Sequence, residues 1–129
     1  MFLIHQTNDG RVPPFEYHPA GAITPKIGLA LYQSGGNLAV AGGTTKPTYI
    51  CMCEKDKAVV AGEIIPVVRV EEGIIFGTTL SAAGTSLKPG NKVTLSADGT
   101  QVTATTEGGI AEIVKIMDTA AGGEVLVRF

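Results

Sequence analysis

Seventeen glycines and seven prolines cut this chain into short apolar runs, and that punctuation limits its fold more than any other feature. Many turns between short runs rich in Ile, Val and Thr imply many short strands rather than long helices. A chain of 129 residues fits one domain and can bury a core without disulfides or metals. Its apolar fraction is 44%, yet only 5% is aromatic and Trp is absent, so Ala, Val and Ile carry much of the apolar content. A core of small side chains is thin per residue, which predicts further burial at a subunit interface.

The local patterns give a mainly β chain with little helix. Residues 26–32 and 37–41 are apolar runs around Gln33-Ser34-Gly35-Gly36, a hairpin signal. Residues 48–53 are a strand candidate rich in β formers. Residues 58–62 and 64–70 follow as apolar runs, and Pro66 marks the second as an edge strand or a bulge. Ile74-Ile75-Phe76 starts another strand, and residues 79–84 fit one short helical turn. Lys88-Pro89-Gly90-Asn91 is a turn. In residues 92–96, Val93 and Leu95 share one face. Asp98-Gly99 is a short hairpin signal before the alternating residues 101–106. Residues 109–118 suit a strand or a short helix by period, and their Ile and Val content favours strand. Residues 124–129 close the chain as a strand. The expected architecture is a small β-barrel or sandwich of short antiparallel strands.

Residues 1–22 read as an extended N-terminal arm ahead of a single β-rich domain, 23–129. The arm holds Asn8-Asp9-Gly10, Pro13-Pro14, Pro19 and Gly21 with no sustained period. It nonetheless carries Phe2, Leu3, Ile4, Phe15 and Tyr17, and a disordered tail has little reason to hold aromatics. These five are the candidate partner-binding residues, docking on their own domain or on a partner. Deleting residues 1–18 is expected to leave the body folded. A weak internal echo runs through the body: at an offset of 64 residues, Pro25 meets Pro89, Leu31 meets Leu95, Gly35 meets Gly99 and Leu38 meets Val102. It pairs residues 23–70 with 87–129 as two similar hairpin-plus-strand units, each with an Arg near its end (Arg69, Arg128).

The search for chemistry finds no catalytic, cofactor-binding or metal residue. Cys51 and Cys53 read as two buried or half-buried free thiols, because a disulfide across that spacing strains the backbone. His5 and His18 read as surface histidines, with Glu16 two residues before the second. No serine stands in a nucleophile elbow. Gly42-Gly43-Thr44-Thr45-Lys46 lacks the spacing of a phosphate loop. Glu71-Glu72, Glu107 and Glu112 read as solvated turn carboxylates. Ten basic residues are scattered among twelve acidic ones for a net charge of -2, which argues against nucleic-acid binding. Met1-Phe2-Leu3-Ile4 is apolar for four residues only, short of the roughly seven of a signal peptide. No segment approaches the roughly 18 apolar residues of a membrane span. The expectation is therefore a non-enzymatic protein made in the cytoplasm, with no membrane partner.

From Pro19-Ala20-Gly21-Ala22-Ile23, through Leu29-Ala30-Leu31, Leu38-Ala39-Val40 and Gly43-Thr44-Thr45, to Glu72-Gly73-Ile74-Ile75-Phe76, the order of features resembles head decoration proteins of the phage lambda type. Lys88-Pro89-Gly90-Asn91-Lys92-Val93 and Gly122-Gly123-Glu124-Val125-Leu126-Val127-Arg128 are similar to segments of related phage and prophage proteins. This chain departs from the lambda type in its longer β-rich C-terminal half. The resemblance implies a homo-oligomer, a trimer, on the outside of an icosahedral capsid. There it would clamp the major capsid protein and stabilise the expanded shell as part of the virion. Two rivals stay open on the residues alone: another phage structural component, such as a tail or head-joining β-barrel, and a small β-barrel enzyme or ligand-binding domain.

Overall fold

The computed structural model describes residues 1–129. Ten strands and no helix make up the chain: β1 (Leu3–Gln6), β2 (Glu16–Pro19), β3 (Ala30–Ser34), β4 (Asn37–Val40), β5 (Tyr49–Cys51), β6 (Ile64–Arg69), β7 (Ile75–Thr79), β8 (Lys92–Val93), β9 (Ala111–Ile116) and β10 (Glu124–Arg128). They form two antiparallel five-stranded sheets, ordered β1-β7-β10-β9-β8 and β2-β6-β5-β3-β4. Neither sheet closes into a barrel, so of the two expected forms the sandwich-like one holds. Gly35 and Gly36 join β3 to β4 with φ of 60° and 87°. Positive φ at both positions is what a two-residue hairpin turn requires to match strand twist.

Burial follows from the period of two. In β5 and β6, the facing pair Ile50 and Val68 points into a cluster of sixteen buried residues, shared with Phe76, Val93, Ile113 and Val127. Their neighbours Cys51 and Val67 point the other way, into a cluster of nine with Leu31, Leu38 and Ile65. β5 is therefore buried on both faces, which explains its unbroken apolar run.

The same connection pattern occurs in both sheets. Ala20 donates to Glu63 and accepts from Gly62, while Leu80 donates to Gly123 and accepts from Gly122, all between 2.7 and 2.9 Å. Gly21 donates to Leu38 at 2.9 Å, and Ser81 to Val102 at 2.8 Å. Gly28 (φ 86°) donates to Cys51, and Gly90 (φ 93°) to Ile113. β2 lies beside β6, and β7 likewise lies beside β10. The chain at the end of β2 or β7 then touches the hairpin strand through one parallel bridge, Ala20 to Leu38 or Leu80 to Val102.

Several local expectations change. Residues 1–22 are extended and, of the two placements open to them, take the one on their own chain: β1 lies on β7 and β2 on β6. Phe2, Ile4 and Ala20 pack into the two cores, and that burial draws the segment in. Residues 58–62 form a turn, not a strand, because the chain reverses at Gly62 (φ 93°) and Glu63 donates back to Val60 at 2.9 Å. Residues 79–84 make no helical turn; Leu80 is fully buried and held by its bonds to Gly122 and Gly123. Pro66 lies in a strand flanked on both sides, without a bulge. It is tolerated because its main chain faces Met52, just past the end of β5, where the ladder stops. Residues 109–118 are strand, as β9.

Candidate partner-binding surfaces

The five arm residues separate into two roles. Phe2 is 1% exposed, with its ring 5.5 Å from that of Phe129, so its side chain belongs to the molecule's own core. Ile4 is half-buried against the same core. Leu3 (54% exposed), Phe15 (43%) and Tyr17 (64%) remain at the surface. Alternation explains the split, since successive side chains of a strand point to opposite faces.

Leu3 stands in a cross-strand row with Gly77, Leu126 and Lys115 on the outer face of the first sheet. Gly77 contributes no side chain to this row. Met1 and Met117 join it around a shallow groove of about 440 Å³. Met117 is 46% exposed, so the groove presents flexible apolar side chains to the outside. Such a surface suits an apolar protein partner. The sequence signal for Met117 and Leu126 was absent, because strand parity alone does not say which face lies outside.

One end of the second sheet carries a polar cluster that the sequence did not expose. Arg69 donates to both oxygens of Glu16 at 2.9 Å each, and its Nη2 also reaches the Tyr49 hydroxyl at 3.0 Å. Its guanidinium lies 5.0 Å from the centre of the Tyr49 ring. His18 Nε2 lies 3.0 Å from Glu16. His18 is thus engaged in this cluster, whereas His5 is exposed. The only hint was the recurring Arg near the strand ends; Arg128 likewise meets Glu112 at 3.2 Å. Hydrogen bonds from Arg69, then His18, hold the Glu16 carboxyl below its usual range. A general acid needs the opposite shift, so the cluster is arranged to stay ionised.

The sign of the pH effect follows. A carboxyl with a depressed folded pKa adds stability above its unfolded value of about 4.3 and loses it as pH falls through the folded value. The wild-type protein should therefore melt higher than Glu16→Gln near neutral pH. The difference should shrink as pH falls below the unfolded value and through the folded one. Melting curves across that range check it; a difference that persists in acid would mean packing, not charge, carries the effect.

A depression of about 860 Å³ is lined by Lys46, Lys92 and Arg128 together with Glu71, Glu72 and Glu112. It is open and its charges are mixed, so it offers no field of one sign to an ionic ligand. Glu71 and Glu72, between β6 and β7, both line it. The Gly42-Gly43 segment is used structurally: Gly43 exchanges two bonds with Leu95, at 2.9 and 3.0 Å. Its N–H therefore cannot cradle a phosphate.

Cys51 is buried and Cys53 half-buried, both free, with sulfurs 3.9 Å apart. Burial pushes the Cys51 thiol up to about 11, which keeps it protonated and unreactive near neutral pH. No group of three or more His, Cys, Asp or Glu is placed to hold a metal ion. No helix is long and apolar enough to cross a membrane. Neither a scan against protein-family models nor a search of curated proteins finds a match to this chain.

Proposed function

We propose that this protein is a structural component that binds the outside of a phage capsid as a homo-oligomer, a trimer on the shell, and stabilises the expanded shell. The reading rests on the resemblance of its turn-and-strand order to lambda-type decoration proteins. One structural observation supports it: the solvent-facing apolar side chains Met1, Leu3 and Met117 gather around a groove on an outer sheet face. An apolar side chain of the major capsid protein seated there would gain about 25 cal/mol per Å² of apolar surface removed from water. Because the body is built from two joined sheets, such a clamp would be stiff.

The test is co-sedimentation with capsid shells, expanded and unexpanded, of the phage or prophage that encodes this chain. Wild-type protein should pellet with expanded shells. The double variant Leu3→Lys, Met117→Lys changes only exposed positions and should weaken binding by more than about tenfold, roughly the loss of one buried apolar anchor. Equal binding by wild type and variant, or no binding by either, would remove this reading.

A further inference from the structure

We infer that the outer edge of β2 is a self-association surface, pairing with β2 of a second copy across a two-fold axis. Three of the four sheet edges are already covered or interrupted. On β4, the Leu38 carbonyl accepts from Gly21. β8 is two residues long and runs on into bonds of Leu95 with Gly43 and of Thr94 with Thr103 and Thr105. β1 is interrupted between Ile4 and Gln6, and its Phe2 N–H is taken by Gly28. Short strands, bulges and capped groups are the usual protections of a sheet edge. β2 is also short, follows Pro13-Pro14 and ends on Pro19, but over Phe15 to Tyr17 it carries no bulge and no capping bond.

The direction of its main chain is fixed by its neighbours. Ala20 faces β6, since it exchanges two bonds with Gly62 and Glu63, and Gly21 faces the other way, toward Leu38. Alternation then turns Glu16 and His18 toward β6, and Phe15 and Tyr17 outward. Pro66 confirms the parity: it lies opposite Tyr17, and its carbonyl is turned away to Met52. The counterpart strand β7 shows what fits at this place. Its residues Ile75 to Gly77 are covered by β1. In the second sheet the corresponding position beside β2 is bare.

The pattern of residues selects a second copy as the occupant. Two β2 strands running antiparallel with Glu16 on the axis bring Phe15 opposite Tyr17 of the other copy, twice over. Both residues face outward, so both pairs are of the hydrogen-bonded kind, each exchanging two main-chain bonds. The next outward positions on either side are Pro13 and Pro19, which would lie opposite each other. Neither has an N–H, so the ladder ends there. The same register sets the exposed rings of Phe15 and Tyr17 side by side across the strands, a pairing that adds burial and aromatic contact. The contact is isologous and closes at two copies. It does not rest on the capsid reading: the two-fold contact is a state of the free protein, whereas the trimer of that reading is its state on the shell.

Sedimentation velocity on the purified full chain tests it. Wild-type protein should sediment as a dimer at about 100 µM, a concentration suited to a small interface. Tyr17→Pro removes one outward N–H per copy without removing a bond to β6, and should weaken association at least tenfold. Tyr17→Lys keeps the main chain and places like charges at the contact, with the same outcome; circular dichroism confirms that each variant is folded. Hydrogen exchange of the Tyr17 amide should slow as wild-type concentration rises. A wild-type monomer at 1 mM, an odd-numbered oligomer, or association unchanged in both variants would overturn the inference. A dimer that ignores capsid shells would leave it standing and remove only the proposed function.

Discussion

Phe2→Ala should lower folding stability by about 3–5 kcal/mol, the usual loss for a fully buried Phe. The side chain is 1% exposed and packs on Phe129, itself 5.7 Å from Phe76, at the centre of the larger cluster. No neighbour can easily fill the space, because the backbone there is fixed. The Phe2 N–H is bonded to Gly28 at 2.8 Å, and a Cβ on Gly28 would lie 2.9 Å from the Phe2 nitrogen. Total stabilities of such domains are about 5–15 kcal/mol, so this one change removes a large share. Urea unfolding, with the midpoint shifted at unchanged slope, measures it. Deleting residues 1–18, once expected to spare the body, should do worse. It removes Phe2, β1 and all of β2 but Pro19, and it bares the main chain of β6 and β7. A truncated protein with wild-type stability would show that the leading segment is dispensable and the core assignment wrong.

The second large effect is expected at Gly109, where alanine should cost about 3 kcal/mol, the upper part of the range for overpacking. Its φ is not in the left-handed region, so conformation is not the obstacle. Space is. A methyl group there would lie 2.7 Å from the Val93 nitrogen and closer still to the Lys92 carbonyl. Both are backbone and cannot rotate aside. They are tied in place by the bond from Ile110 to Val93 at 3.0 Å. The clash should therefore part β8 from β9 and fray that end of the first sheet. Hydrogen exchange at Ile110 should speed up together with the fall in stability. By contrast, alanine at Gly73 would meet mainly the Asn8 side chain, which can swing away. A loss at Gly109 no larger than at Gly73 would refute the steric argument.

Strand content was readable because the Gly and Pro punctuation and the alternation are local. The hairpin at Gly35-Gly36, the face shared by Val93 and Leu95, and the strand at residues 111–116 all follow from neighbours in sequence. Residues 58–62 and 79–84 misled because their apolar content reflects contacts made far away. Val59 is buried in the smaller cluster and Leu80 in the larger one. The Glu16–Arg69 pair joins residues 53 apart and left no local mark.

By itself the sequence determined a mainly β chain of short strands, free thiols at Cys51 and Cys53, and an N-terminal segment with apolar and aromatic residues to dock. Only the tertiary structure decided where that segment goes. Apolar burial is non-directional, so four apolar residues at the start of a chain fit their own core as well as a partner's. The pairing of β1 with β7 and β2 with β6 settles it, sending Phe2 inward and leaving Leu3, Phe15 and Tyr17 outside.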